Sequence, residues 1–340
     1  MTANRINRRV LLSLVLGAWA AVATAQTATP IEEQSRALSR AAAAVVGLRI
    51  QTVPGAPSAA TLGSQRRGSG IVIGDDGTVL TIGYLILEAE QIVLHTDDGR
   101  QVPARPVAYD VATGFGLVQA LTPLKLGAAP LGDTTEIGPG ETLMAASGGE
   151  DGSLASVRLV SRRAFSGYWE YHIEGALFTF PPHDEHSGAG LFNSRGQLVG
   201  VGSLRVADAR GPGAPRMPGN MFVPVDLLKP ILAQLRSEGR SAASKRAWLG
   251  VNCVEMEGTL RVARVSPDSP ADAAGLQVGD RILGIDGAEV ATLAALWQRL
   301  WSGGQAAREV TLDVSSRGER KQLKLQTVDR MTTLKRAAGV

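Results

Sequence analysis

The 340-residue chain has one cysteine, Cys253, so no intrachain disulfide can brace it. Cys253 sits in an apolar alternating run and reads as a buried core residue. Aromatic residues are only 4% of the chain, and no Lys/Arg cluster is interleaved with them. With a net charge of just +3, this excludes an obvious nucleic-acid surface. Beyond the first 25 residues no apolar run approaches the roughly 20 residues a membrane helix needs. No period of about 20–50 residues recurs, so a repeat architecture is excluded. Nothing in these patterns calls for a cofactor.

What is present begins at the N-terminus. Arg5, Arg8 and Arg9 precede the apolar run VLLSLVLGAWAAVA, and Ala23-Thr24-Ala25 supplies a small-residue cleavage site before Gln26. That order of regions is a secretory signal peptide over residues 1–25, which places the mature chain in the periplasm or outside the cell. Forty glycines, seventeen prolines and a 44% apolar share describe a turn-rich chain with real cores, β rather than helical bundle. GSGIVIGDDGTVLTIGYLI and QIVLHTDDGRQVPARPVAYD read as hairpins turning at Asp-Asp-Gly. Further short strands follow up to GQLVGVGSL, as in a sandwich or a pair of barrels. Residues 224–237 read as a closing helix, and 238–246 as a polar linker.

From residue 247 to about 330 the character changes. WLGVNCVEM and GTLRVARVS are strands, SPADAAGL a helical turn, VGDRILGIDGAEV a strand pair, and Leu293–Trp301 an amphipathic helix. A small β-sandwich with one side helix is a peptide-docking shape. Residues 331–340 are left as a tail.

PPHDEHSGAGLFNSRGQLVGVGSL has the outline of a trypsin-type nucleophile loop, with Ser187 as the nucleophile. Together with LGDTTEIGPGETLMAAS, MFVPVDLLKPILAQL and SPADAAGLQVGDRILGIDGAEV, it makes the chain similar to the HtrA (DegP/DegS-like) serine protease family over roughly residues 44–328. The resemblance implies a mostly β fold: a trypsin-like double β-barrel over 26–237, then a PDZ β-sandwich with flanking helices over 247–330. It implies a trimer formed through N-terminal residues, although the alanine-rich start has no aromatic cluster. The family's long regulatory loop is short or absent between Gln51 and Gly68. In the PDZ part, Trp248-Leu249-Gly250-Val251 occupies the carboxylate-binding loop, and Leu296 and Leu300 line an apolar side-chain pocket. For Leu293 a pocket role and a core role weigh equally. The implied partners are peptide C-termini, unfolded proteins, and an active HtrA homologue.

The catalytic positions depart from the family. Tyr84 stands where the family has the general-base histidine, and Gly114 where it has the orienting aspartate. The family's Gly-Asn-Ser-Gly-Gly is Glu185-His186-Ser187-Gly188-Ala189. A serine hydroxyl without a base is a poor nucleophile, and a phenol with a pKa near 10 stays protonated at pH 7. Losing single triad members costs roughly 10⁴- to 10⁶-fold. Glu185 stands beside Ser187 at the oxyanion hole and sets a negative charge near a developing oxyanion. The combination reads as a pseudoprotease. Two alternatives stay open: a serine endopeptidase with His183 or His172 as base, oriented by Asp184 or Glu185, and a metal site at His183 and His186.

Overall fold

The computed structural model describes residues 29–256 and 258–337, and the expected signal peptide falls outside them. The first element is helix α1 (Pro30–Ala43). Its start is fixed by a capping box in which Thr29 Oγ1 accepts from the Glu32 N–H and the Glu32 carboxylate accepts from the Thr29 N–H.

Six strands then close a barrel in the spatial order β1-β2-β3-β6-β5-β4. They are β1 (Val45–Thr52), β2 (Gln65–Val72), β3 (Thr78–Ile82), β4 (Ala89–His95), β5 (Gln101–Tyr109) and β6 (Phe115–Ala120). Two helical turns, α2 (Ala59–Leu62) and α3 (Gly83–Ile86), interrupt the series. A second barrel has the order β10-β11-β12-β9-β8-β7. Its strands are β7 (Thr142–Ala146), β8 (Leu154–Ser166), β9 (His172–Phe180), β10 (Gly190–Phe192), β11 (Leu198–Val206) and β12 (Gly219–Pro224). The mostly β, double-barrel architecture expected from the sequence is the one observed. Strand β5 alternates buried and exposed residues, whereas β3 and β12 are buried on both faces. A strand that fills a barrel on one side and packs against another element on the other has no polar face. One core runs across both barrels, with Leu48, Leu80, Phe115, Phe178 and Phe192 buried in it.

The expected single helix over 224–237 is instead a 3₁₀ turn at Val225–Leu227 followed by α4 (Leu232–Glu238). Pro230 explains the break, because it donates no N–H and its ring disfavours a continuous helix through the preceding turn. The polar segment after α4 is packed down. Ser241 and Ser244 are buried, the Asp110 carboxylate accepts from the Ser241 N–H, and Ser244 Oγ accepts from the Val111 N–H.

In the C-terminal part β13 (Ala247–Trp248) pairs with a late strand, Val328–Asp329. The main sheet runs β14 (Val251–Met256), β15 (Thr259–Val265), β16 (Arg281–Ile285), β18 (Glu309–Ser316) and β19 (Glu319–Gln326), with β17 (Ala288–Glu289) paired to β16. Helix α5 (Pro270–Ala273) is one turn, and α6 (Leu293–Trp301) lies over the sheet. Leu296 and Leu300, expected to line an open pocket, are buried with Leu293 in the core of this domain. Their i, i+3, i+7 spacing with Leu293 puts them on one buried helix face. Leu296→Ala is therefore expected to lower unfolding stability by about 2–5 kcal/mol, read as a fall in the urea midpoint. An unchanged midpoint would return Leu296 to a pocket wall.

Candidate functional site

The nucleophile-like loop is clamped between the two barrels. The Ser69 N–H on β2 donates to the Ser187 carbonyl at 2.8 Å, and the Gly188 N–H donates to the Gly202 carbonyl on β11 at 2.8 Å. Tyr84 reaches the same point from α3. The turn carrying it is held from behind by Arg66, whose guanidinium donates to the carbonyls of Tyr84 and Leu87 at 2.9 and 2.8 Å. Tyr84 Oη lies 2.8 Å from Ser187 Oγ and 2.8 Å from the Ser203 carbonyl oxygen. A carbonyl can only accept, so it takes the one phenolic proton. The two hydroxyls are then bonded by Ser187 donating to Tyr84 Oη. Burial pushes the Tyr84 phenol up to about 12, against a smaller opposing effect of the Ser187 bond. At pH 7 roughly one molecule in 10⁵ carries the phenolate. The serine therefore points its proton at an oxygen that cannot take it.

The aspartate position is filled from elsewhere. Gly114 has φ +82°, and a Cβ built on it would lie 3.0 Å from Tyr171 Oη. The Tyr171 hydroxyl donates to the Thr113 carbonyl at 2.6 Å, and the ring is buried. The Gly114 carbonyl accepts from the Gly83 N–H at 2.7 Å, tying this turn to the start of α3. A carboxylate on residue 114 would need both a left-handed backbone and the space Tyr171 fills.

None of the four histidines serves Ser187. His183 is buried, with its pKa lowered by burial, and its Nε2 lies 3.2 Å from Ser147 Oγ. His172 Nδ1 lies 2.8 Å from Ser166 Oγ, and its Nε2 faces Glu174 and Gln298. His186 Nδ1 lies 2.9 Å from the Asp184 carbonyl, and His95 ends β4. Of the expected orienting carboxylates, Asp184 pairs with Arg205 at 2.8 Å and Glu185 is exposed, and neither carboxylate hydrogen-bonds an imidazole among the described residues. A rebuilt triad through His183 or His172 thus has no support in the geometry. Among the described residues no group of three or more His, Cys, Asp or Glu side chains is placed to hold a metal. His183 and His186, the proposed metal pair, each have a separate partner.

The second site is the turn Trp248–Val251. Gly250 has φ +87°, and a Cβ there would fall 2.2 Å from the Ser269 Cβ, so the turn needs glycine. Its three successive N–H groups, of Leu249, Gly250 and Val251, all donate to Glu170 Oε1, at 3.0, 2.8 and 3.2 Å. Glu170 belongs to the β8–β9 connection of the second barrel. That connection also pairs with β14: Trp169 bridges Asn252 antiparallel, and the Cys253 N–H donates to the Tyr168 carbonyl at 2.6 Å. From α6, Trp297 Nε1 donates to the Gly167 carbonyl at 3.0 Å. Glu170, Tyr171 and Trp297 were not singled out from sequence. The available signal, for the first two, was the crowding of one of the chain's five tryptophans and two of its four tyrosines into GYWEY.

Two family models match the chain: "Trypsin-like peptidase domain" over residues 68–201 and "PDZ domain" over 247–327. A probable periplasmic serine endoprotease DegP-like of Ectopseudomonas mendocina is 28% identical over 290 residues, covering 81% of this chain and 59% of the relative. Its counterpart from Halomonas elongata is 27% identical over 305 residues, covering 84% and 62%. The chain carries a trypsin-like peptidase domain followed by a PDZ domain and is similar to the HtrA-type proteases.

It spans about three-fifths of the length of these HtrA relatives. The relatives are named periplasmic, which agrees with the location read from the N-terminus. The fold matches those of HtrA-type protease AlgW with decapeptide (21% identity, TM-score 0.53, 87% of this chain and 98% of that one) and of a serine endoprotease from Yersinia pestis (22%, 0.53, 87% and 97%). Within this HtrA framework, the pairing of Tyr84 with Ser187 has a measurable signature. Tyr84→Phe leaves the buried Ser203 carbonyl without its donor and is expected to cost about 1–3 kcal/mol of unfolding free energy. In the wild type the Tyr84 contribution is full below pH 10 and is lost as pH rises through about 12, because the folded pKa is the higher one. The phenylalanine variant should therefore lose less stability between pH 10 and 12. An identical slope for both proteins would show that Tyr84 is not held in this way.

Proposed function

We propose that the chain is an exported HtrA-type pseudoprotease that captures peptides or unfolded protein C-termini through its PDZ domain. It acts in protein quality control, as a scaffold, or as a regulatory partner of an active homologue. The observation that carries the reading is the Tyr84–Ser187 pair: the nucleophile position donates to a protonated phenol. Ordinary activation requires an acceptor poised near the working pH, and a phenol raised to about 12 is far from that. Tyr171 over Gly114 supports it further, since a histidine at position 84 would still have no carboxylate to fix its tautomer. The barrels then serve as a scaffold, and the apolar-Gly-apolar turn with its converging N–H groups is chemistry for a carboxylate.

The decisive experiment treats the purified exported chain with a fluorophosphonate and follows casein hydrolysis beside Ser187→Ala. The expected outcome is no adduct at Ser187 and equal residual rates in the two proteins. Adduct formation at a rate typical of working serine hydrolases would overturn the reading. The double variant Tyr84→His with Gly114→Asp is expected to stay inactive, because Tyr171 occupies the space the new carboxylate needs.

A further inference from the structure

We propose that the protease-like domain carries its own occupant for the PDZ groove: the segment Gly167–Glu170 docks there as a surrogate ligand, and external C-termini bind only when it leaves. The inference deepens the function proposed above and rests on reading the Leu249–Val251 turn as the ligand-carboxylate site.

Three independent features of the segment match what a bound chain end would offer. The first is charge. The Glu170 carboxylate receives three backbone N–H bonds from the turn, on one oxygen, at 2.8–3.2 Å. The second is strand addition. Tyr168 and Trp169 extend the sheet beside β14, with the Cys253 N–H donating to Tyr168 and Trp169 opposite Asn252. The third is polarity. Residue 168 meets 253, residue 169 meets 252, and residue 170 meets 249–251, so the segment runs antiparallel to β14 and arrives at the turn with its C-terminal end. A peptide presenting a terminal carboxylate must run the same way. The Trp297 indole closes the other wall on the Gly167 carbonyl.

The occupant is also built to be released. Glu170 is only 5% exposed, and its second oxygen, Oε2, has no hydrogen-bond partner among the described residues. Burial pushes this carboxyl up to about 7, with the three N–H bonds and the Arg330 charge pulling it back. A chain-terminal carboxylate with both oxygens satisfied would not share that defect. Occupation in cis reduces the apparent affinity for an external ligand by the fraction of molecules whose groove is open.

The test uses the full exported chain as wild type, Glu170→Ala and Glu170→Gln. Amide hydrogen exchange over Leu249–Cys253 is expected to speed up at least tenfold in Glu170→Ala, with Glu170→Gln between, while β3 amides stay protected as a check on folding. Unchanged exchange would sink the proposal. A fluorescent decapeptide ending in Leu-Ala-Val with a free carboxylate is then titrated, beside its C-terminal amide. The acid should bind Glu170→Ala at least tenfold more tightly than wild type, and equal affinity would likewise overturn the proposal. Accelerated exchange with no binding of either peptide supports cis occupation while removing the capture function proposed above.

Discussion

The contact on which both halves of this molecule depend is the short aromatic connection between β8 and β9. Within it, consecutive residues do opposite jobs. Tyr171 lies over Gly114 and closes the space beside it. Glu170 turns the other way and satisfies three N–H groups of the PDZ turn. Trp169 stacks on Tyr171 with ring centroids 5.5 Å apart, which locks the two functions into one rigid piece. The segment therefore joins the turn at Gly114 to the PDZ domain. Docking the PDZ domain and closing the space beside Gly114 are one packing event.

The packed linker reinforces this arrangement. Burial works against the charge of Asp110, but bonds from Ser241 and Thr113 outweigh it and keep the carboxyl below its ordinary range. Asp110 thereby fastens the start of the linker to the turn that carries Gly114. At the far end the Arg246 guanidinium sits 3.6 Å from the centroid of the Trp301 ring on α6 and donates to the Val111 carbonyl. The domain boundary is thus a strap with buried anchors, and the loop and the strap hold the PDZ domain from two directions.

Much of this was legible in the sequence. The Asp-Asp-Gly hairpins, the strand series and the Leu293–Trp301 helix carry their own periodicity and turn chemistry, and local rules suffice for such elements. The catalytic departures at Tyr84 and Gly114 could be read by position alone. What position could not show is geometry between distant segments. That the phenol would bond Ser187 itself depends on α3 meeting the loop before β10, 103 positions away in the chain. Glu170 looked like an ordinary hairpin residue because its partners are some 80 positions away. Leu296 and Leu300 were misplaced for a different reason: a helix stripe facing a core and one facing a groove have the same spacing. The closing helix failed at Pro230, a local signal that the apolar pattern of PVDLLKPILAQL outweighed.

The tyrosine seated over Gly114 limits which substitutions this turn accepts. On the function proposed above, building a triad here would require an imidazole at 84, a carboxylate at 114 and a smaller side chain at 171. A carboxylate at 114 alone would set a new charge against a filled, buried space, at a cost in stability. Shrinking residue 171 first would loosen the loop that seats Glu170 and so disturb the binding domain. One side chain thus ties the space beside Gly114 to the seating of the C-terminal domain.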